Sequence, residues 1–324
     1  MAIKTELDLG ALGHLLAPLD LRPRRLRGLE EGTVNSNYRV ETDGGPVFVR
    51  INEGKSESDV GYEAALLWHL GVRRFPTPQP LRRVDGVPFL LYQGKPVTVF
   101  PWVLGRHVDE AHITRSHTIQ VGQVLGELHR ATASFRRRRD GIYTFDHIVK
   151  RVEGMRGEPR VAEVLPILDE EITYLEQARA KGLPAGTIHG DLFPDNVLWR
   201  HGRVSAVLDF EQASFGSLVY DLAVTILSWC WNGADLDDAR AQGMVLGYER
   251  ARPLERVERE ALFDEARMAA LRFTVTRLTD VFLPALPGAE RLGKDYRDYL
   301  ARLERLRTSL PGRVHAWFAA SPPG

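Results

Sequence analysis

The stretch TIHGDLFPDNVLW, residues 187–199, interrupts two apolar runs with polar and turn-forming residues. Polar groups between segments that favour burial are costly unless they are hydrogen-bonded or used. Asp, Asn, Gly and Pro also favour ordinary turns. The stretch therefore predicts either a plain turn or a site for an ion and a proton acceptor, built from His189, Gly190, Asp191, Asp195 and Asn196.

The bulk composition is that of a globular protein without excess charge. The chain has 324 residues, 44% of them hydrophobic, and 43 Lys plus Arg balance 43 Asp plus Glu. This length predicts a sizeable core and two lobes. Zero net charge disfavours a surface built for nucleic acid, and the four arginines at 136–139 are more typical of a solvated loop. We expect no nucleic-acid partner.

Cysteine content and apolar runs bear on the compartment. The single cysteine, Cys230, excludes an intramolecular disulfide framework and fits a reducing compartment. The first residues, MAIKTELDLGALGHLL, lack the long apolar core of a signal peptide. The longest apolar run, LAVTILSWCW, is shorter than the ~20 residues of a membrane-spanning helix. We therefore expect a cytoplasmic protein with no membrane partner.

The first third of the chain predicts a small β-rich lobe. Leucines at helical spacing predict a helix over 7–19, and a second helix is predicted over roughly 58–70. Short runs of β-branched and aromatic residues, separated by Gly-containing turns, predict antiparallel strands. These runs are NYRVET (37–42), GPVFVRIN (45–52), LRRVDGVPFLLY (81–92) and KPVTVFPWV (95–103).

From about residue 112 the pattern is mostly helical. Apolar stripes predict helices within 118–131, 161–180 and 260–282. The opening stretch and VSAVLDFEQA (204–213) predict two short strands with loops attached. The predicted class is α+β, with a small antiparallel lobe carrying one main helix at 1–102 and a larger, mostly helical lobe at 103–324.

Three oxygen-bearing side chains have a spacing that suits phosphoryl transfer. Asn196 follows Asp191 by five positions, and Asp209 follows Asn196 by thirteen, at the end of an apolar strand. Magnesium takes oxygen ligands, commonly one or two carboxylates together with substrate phosphates. Asn196 and Asp209 could supply such ligands, while Asp191 could accept the proton of an attacking hydroxyl.

HGDLFPDN together with LDF resembles the catalytic and metal motifs of protein kinases, in the variant of the aminoglycoside phosphotransferase and choline kinase superfamily. The resemblance implies a protein-kinase-like two-lobed fold that uses ATP and Mg²⁺. It implies Asp191 as the catalytic base, His189 as the residue that orients the loop, and Asn196 and Asp209 as metal ligands. The larger lobe would carry the catalytic loop, the metal site and the substrate pocket.

The same resemblance assigns nucleotide binding to the β-rich lobe. Arg50, on the strand PVFVRIN, stands where the family usually has a lysine that grips the phosphates, and Glu63 would be its partner. The alternative is an exposed Arg50 and a solvated Glu63. The loop GTVNSN has one glycine, so phosphate contacts would come from Gly32, Asn35, Ser36 and Asn37.

Four stretches are similar to the bacterial homoserine kinases of this fold: GLEEGTVNSNYRV, HGDLFPDNVLW, YDLAVTILSWCW and the segment from GYERARPLE to ALRFTVTRLTD. This implies the hydroxyl of L-homoserine as acceptor, in threonine biosynthesis, and a monomer or homodimer. An aminoglycoside, a choline-like amine or another amino alcohol stays open as the substrate, as does a nucleotide-binding pseudokinase.

Homoserine needs a cation for its carboxylate and an acceptor for its ammonium group. The candidates are Arg272, Arg277 and Asp280 on one helical pattern, and Glu211 after the LDF motif. The alternative for Arg277 and Asp280 is an intrahelical salt bridge. Asp221, in YDLA, either braces the catalytic loop, as the resemblance implies, or caps a helix.

Overall fold

Five antiparallel strands form a sheet in the first third of the chain. They are β1 Pro23–Leu29, β2 Ser36–Thr42, β3 Gly45–Ile51, β4 Leu90–Tyr92 and β5 Lys95–Pro101. The order is β1-β2-β3-β5-β4. Strands β3 and β5, which are neighbours inside the sheet, carry Val and Ile at buried positions. Their pairing aligns Arg50 on β3 with Thr98 on β5 and with Asn37 on β2.

Two helices accompany this sheet. Helix α1, Leu9–Leu16, is N-capped by Asp8 and contributes Leu12, Leu15 and Leu16 to the core beneath the sheet. Helix α2, Glu57–Val72, begins with a capping box in which Ser56 and Asp59 satisfy each other's backbone N–H groups. Both helices were predicted, and both predictions are confirmed.

The structure is a computed structural model that describes residues 3–29, 34–233, 235–285, 294–308 and 311–320. It divides into two compact units: unit 1 is Met1–His107, Ser134–Arg137 and Asn196–Glu211, and unit 2 is Val108–Ala133, Arg138–Asp195 and Gln212–Gly324. Residues 196–211 belong to unit 1 although they come late in the sequence. The functional boundary at residue 102 stays a prediction.

Unit 2 is built mainly from helices. Among the described residues they are α3 Arg115–Thr132, α4 Phe145–Gly154, α5 Leu165–Ala178, α6 Leu218–Trp229, α7 Asp238–Ala251, α8 Arg256–Arg277, α9 Tyr296–Thr308 and α10 Pro311–His315. The short strands β6 Ala185–Ile188 and β9 Ser214–Ser217 pair antiparallel. Strands β7 Val197–Arg200 and β8 Arg203–Val207 form a hairpin in unit 1, and β10 Trp231–Asn232 pairs with β11 Asp235–Leu236.

Helices α3 and α7 approach at backbone contact. A Cβ on Gly122 would lie 2.0 Å from the Met244 carbonyl oxygen, and one on Gly247 would lie 1.9 Å from that of Ile119. Only glycine fits at these crossings. The close approach brings His129 of α3 against Tyr248 of α7, with ring centroids 5.6 Å apart.

The strand predictions differ from the structure in two places. Strand β1 was not predicted, because its arginine-rich sequence at a sheet edge, with Arg24, Arg25 and Arg27 exposed, shows no apolar alternation. Of the run 81–92, only Leu90–Tyr92 forms a strand, since a turn intervenes in which Gly86 N–H bonds to the Arg83 carbonyl. Within the described ranges, no helix is long and apolar enough to cross a membrane.

Candidate active site

The β7–β8 hairpin holds the two proposed metal ligands at its open end. Asn196 immediately precedes β7, Asp209 follows β8 by two residues, and the Leu208 N–H donates to the Asn196 carbonyl at 2.8 Å. Asp209 has φ +60°, a left-handed conformation that is uncommon outside glycine. Its side chain is 47% exposed. The hairpin therefore brings an amide and an accessible carboxylate to one edge of unit 1.

Arg50 lies at the centre of a cluster of carboxylates in unit 1. Its guanidinium is 7% exposed, with Nη2 2.5 Å from Glu63 Oε2, and Nη1 3.1 Å from Glu211 Oε1 and 3.9 Å from Asp209 Oδ1. Burial disfavours the charge of Arg50, but the carboxylates of Glu63, Glu211 and Asp209 raise its pKa above the ordinary value. The predicted Arg50–Glu63 pair is present, and the alternative of two solvated residues is wrong.

Glu211 lies in this cluster as well. It accepts a hydrogen bond from the Asn35 amide and lies 4.0 Å from Lys55 Nζ. Burial raises the pKa of Glu211, and the charge of Arg50 opposes that rise. Glu211 was predicted as a substrate ligand, yet its partners in unit 1 are the predicted nucleotide-binding residues Arg50 and Asn35.

The polar loop before β2 has mixed outcomes. The side-chain oxygen of Asn35 accepts a hydrogen bond from the Glu53 N–H at 3.0 Å. The Ser36 hydroxyl is fully buried, accepts the Lys4 and Thr5 N–H groups, and donates to Glu53 Oε1 at 2.9 Å. Its one proton is thereby used, which argues against a phosphate contact. Asn37 is half-buried on β2, and Gly32 lies outside the described residues.

The donor set of Asn196 and Asp209 suits a metal that is shared with phosphates. Among the described residues, no group of three or more His, Cys, Asp or Glu is arranged to hold a metal ion. One carboxylate and one amide oxygen are too few ligands to complete the coordination of a metal ion by themselves. They are, however, the hard oxygen ligands that Mg²⁺ accepts when substrate phosphates and water complete its coordination.

In unit 2, the loop that carries Asp191 is fixed by Asp221. Asp221 Oδ1 accepts the Gly190 N–H at 2.7 Å, and Oδ2 accepts the His189 N–H, also at 2.7 Å. Both His189 and Asp221 are fully buried. Gly190 has φ +74°, which favours glycine. Asp221 therefore braces the loop, and the helix-cap alternative is wrong because Ser217 is the N-cap of α6.

A chain of hydrogen bonds continues behind Asp221. His129 Nε2 lies 3.0 Å from Asp221 Oδ2, and His129 Nδ1 lies 2.7 Å from the Tyr248 hydroxyl. A carboxylate only accepts, so His129 donates from Nε2, and its Nδ1 shares a hydrogen bond with the Tyr248 hydroxyl. Burial alone would raise the pKa of Asp221, but the hydrogen bonds from His129 and Gly190 hold it below the ordinary value.

The sequence analysis pointed to Asp221 through YDLA but did not single out His129 or Tyr248. Both residues lie far from the catalytic loop along the chain and look like ordinary helix residues. The spacing Gly122, Gly126 on α3 and Gly243, Gly247 on α7 is the signal that could have found them, since it marks two helices in backbone contact.

Asp191 has a buried cation as its neighbour. Arg272 is 5% exposed, its Nη1 donates to the Gly190 carbonyl at 3.1 Å, and the same atom lies 3.8 Å from Asp191 Oδ1. Burial raises the pKa of Asp191 above the usual value, and the charge of Arg272 opposes that rise. A carboxylate with a raised pKa next to a cation is suited to accept a proton.

The other two residues of the C-terminal pattern face elsewhere. Arg277 Nη1 donates to the Asp295 carbonyl at 2.7 Å and to Asp298 at 3.1 Å. Asp280, in a π-helical turn over Leu278–Phe282, pairs with Arg151 at 2.5 Å. The intrahelical salt bridge between Arg277 and Asp280 is therefore wrong, and Arg272 is the member of the pattern that adjoins the catalytic loop.

This geometry agrees with the comparisons to known proteins. The model of the phosphotransferase enzyme family matches residues 25–254, and the chain belongs to this family. The chain is 33% identical to the homoserine kinase of Granulibacter bethesdensis over 96% of its length and 98% of that protein. It is 32% identical to the homoserine kinase of Parvibaculum lavamentivorans over 94% and 95% of the two chains.

Solved structures define the fold more distantly. An amicoumacin kinase, solved with AMP-PNP, Ca²⁺ and its ligand, aligns with a TM-score of 0.67 at 17% identity, covering 89% of this chain and 88% of that one. A spectinomycin phosphotransferase aligns with a TM-score of 0.63 at 13% identity over 97% and 99%. The predicted protein-kinase-like α+β fold and the family resemblance are confirmed.

Proposed function

We propose that this protein is an ATP-dependent kinase that transfers the γ-phosphoryl group to the hydroxyl of L-homoserine. The observation that carries the proposal is the similarity to proteins named homoserine kinase, at 32–33% identity over nearly their whole length. The amicoumacin kinase and the spectinomycin phosphotransferase are 17% and 13% identical to this chain, which supports a common fold but no common acceptor.

Asp191 would accept the proton of the acceptor hydroxyl. Its backbone position is supported by the brace from Asp221 to His189 and Gly190, which removes freedom from the loop. His189 would act through this loop, since it is fully buried. Catalysis of phosphoryl transfer depends mainly on positioning and charge stabilisation, so a rigid loop around the base is what the reaction requires.

Arg50 would bind nucleotide phosphates. It is held by Glu63 on one side, while Glu211 lies against its other nitrogen. A guanidinium has a fork of donors, so it can keep Glu63 and still offer Nη1 to a phosphate oxygen. Asn37 on β2 is aligned with Arg50, and Asn35 directly precedes β2, so both could add donors. Ser36 is left out because its proton is used by Glu53.

Asn196 and Asp209 would hold a divalent ion, which we propose to be Mg²⁺. When bound with the nucleotide, such an ion neutralises charge on the phosphates. The family of phosphotransferases supports a nucleotide and a divalent metal, and the hard oxygen donors of this pair support magnesium in particular. Both side chains belong to unit 1, as Arg50 does.

Arg272 would bind the acceptor next to Asp191. A guanidinium is the side chain best suited to a carboxylate, and homoserine carries one whereas choline and aminoglycosides do not. Arg277, Asp280 and Glu211 have strong partners elsewhere, so we do not assign them to the acceptor.

The test is a panel of acceptors with Mg-ATP, following ADP release by the purified protein. We expect turnover with L-homoserine and about a hundredfold lower kcat/KM with choline and with an aminoglycoside. This is roughly 2.7 kcal/mol, within the roughly 1.5–3 kcal/mol of one hydrogen bond to a charged group. Preference for either amine over homoserine would overturn the proposal. ATP binding without turnover of any acceptor would favour the pseudokinase.

A further inference from the structure

A cavity of about 180 Å³ lies within unit 2 and reaches the catalytic loop at Gly190. The remaining walls come from β9 and the start of α6, from α8, and from the loop around Tyr143. Gly190 directly precedes Asp191, so a molecule in this cavity would extend from the residue next to the proposed base.

The charges on the cavity wall have one sign. Arg179 and Arg272 contribute to the wall, and no Asp or Glu is found among the described residues that line it. Arg179 is engaged with Glu265, to which it donates at 3.0 and 3.2 Å. Arg272 lies over the Tyr143 ring at 4.4 Å and has used Nη1 on the Gly190 carbonyl. The wall is therefore suited to an anion and unsuited to a polycation.

Three lining residues carry a buried polar atom that has no hydrogen-bond partner within the described part of the chain. They are Arg272 Nε, Tyr220 OH and Ser217 Oγ. Ser217 is the N-cap residue of α6, yet its side chain makes no capping bond. A buried donor without a partner destabilises the protein by about 1–3 kcal/mol. All three belong to residues that line one cavity, so a ligand that supplies acceptors there would be favourable.

The size of the cavity limits this ligand. A cavity of roughly 150 Å³ is enough for benzene, so 180 Å³ has room for a molecule the size of a small amino acid. An aminoglycoside, with several sugar rings, would extend beyond this cavity, which opens to solvent. Size and charge together select a small carboxylate.

We propose that this cavity receives the carboxylate end of the acceptor, with Tyr220 and Ser217 as specificity-determining donors beside Arg272. The inference rests on the proposed function and deepens it. The carboxylate would accept hydrogen bonds from Arg272 Nε and from the two hydroxyl groups, while the acceptor's own hydroxyl extends past Gly190 towards Asp191. Amino alcohols that lack a carboxylate would leave these donors without partners.

The experiment compares L-homoserine with 3-aminopropan-1-ol, which has the same hydroxyl and amine but no carboxylate. Initial rates at saturating Mg-ATP are measured for the wild type, Tyr220→Phe and Ser217→Ala. For each variant we expect the KM for homoserine to rise about tenfold, as for the loss of one hydrogen bond to a charged group. The kcat, the KM for ATP and the rate with 3-aminopropan-1-ol should change by less than twofold.

Tyr299→Phe is the matched control. The Tyr299 hydroxyl is also buried and has no partner among the described residues, but it does not line the cavity. Its KM for homoserine should equal that of the wild type, and thermal unfolding of all variants checks that they are folded.

The outcomes separate the two proposals. No turnover of homoserine by the wild type would overturn the proposed function and this inference with it. Normal turnover with a homoserine KM unchanged in both Tyr220→Phe and Ser217→Ala would overturn the inference alone. An equal loss for 3-aminopropan-1-ol would also overturn it, because the contact would then not concern the carboxylate.

Discussion

Asp221→Asn is expected to loosen the loop that carries Asp191. The carboxylate accepts three hydrogen bonds: the Gly190 N–H on Oδ1, and the His189 N–H and His129 Nε2 on Oδ2. An asparagine has the same shape but only one accepting oxygen. In the more favourable orientation, the asparagine oxygen still accepts the hydrogen bonds from the His189 N–H and from His129 Nε2. Its NH₂ group then faces the Gly190 N–H, and that N–H has lost its acceptor.

The magnitude follows from that single lost bond. A hydrogen bond to a charged group contributes about 1.5–3 kcal/mol, and a value near 2 kcal/mol corresponds to about a 30-fold change in an equilibrium. The Gly190 amide should therefore exchange with deuterium about 30-fold faster in Asp221→Asn. We also expect kcat to fall by about tenfold, with an unchanged KM for ATP, because Arg50 and its partners belong to unit 1.

Amide-resolved hydrogen exchange by NMR measures the first effect, and initial rates measure the second. Asp146→Asn removes the same charge at an exposed position of α4 and is the control. Exchange at Gly190 that changes by less than threefold would refute the reasoning. In the wild type the contribution of Asp221 also has a defined pH dependence. Since its pKa is lowered in the folded state, the stabilisation is complete above its ordinary pKa and is lost as pH falls through the lowered value.

Arg50→Lys keeps the charge, but one ammonium group cannot bind Glu63 and a nucleotide phosphate at the same time, so the KM for ATP should rise about tenfold. An unchanged KM for ATP would contradict a role of Arg50 in nucleotide binding. Arg272→Met removes the cation that opposes the raised pKa of Asp191, so the acid limb of the kcat profile should move to higher pH, and a limb that stays in place contradicts this assignment. Asp209→Asn should raise the Mg²⁺ concentration for half-maximal rate by about tenfold, as expected for one lost charged ligand. Asp195→Asn, exposed on the neighbouring loop, should leave it unchanged, and equal effects of the two variants would count against Asp209 as a ligand.

Local patterns in the sequence were enough for much of the fold. Leucine spacing predicted α1, and the alternating strand residues predicted β2, β3 and β5, whereas the Arg50–Glu63 ion pair was predicted from the resemblance to the kinase motifs. The helix and the strands rest on a strong periodicity, and the ion pair rests on the resemblance. Strand β1 has neither, because an edge strand with arginines on its exposed face shows no apolar alternation.

The catalytic motif was readable, but its surroundings were not. Asp191, Asn196 and Asp209 stand out by type and spacing, whereas the partners of a buried charge depend on which distant helices pack together. Arg272 and Arg277 look equivalent in sequence, five positions apart among apolar neighbours. One contacts the Gly190 carbonyl and the other the start of α9, and only tertiary packing separates them.

The most direct test of the central claim is ³¹P NMR of the products formed from Mg-ATP and L-homoserine by the wild type and by Asp191→Asn. We predict a phosphomonoester resonance from O-phospho-L-homoserine with the wild type, and near-complete loss of that resonance with the variant at equal protein concentration. A wild type that forms no phosphomonoester, or an Asp191→Asn variant that forms it at the same rate, would contradict the account.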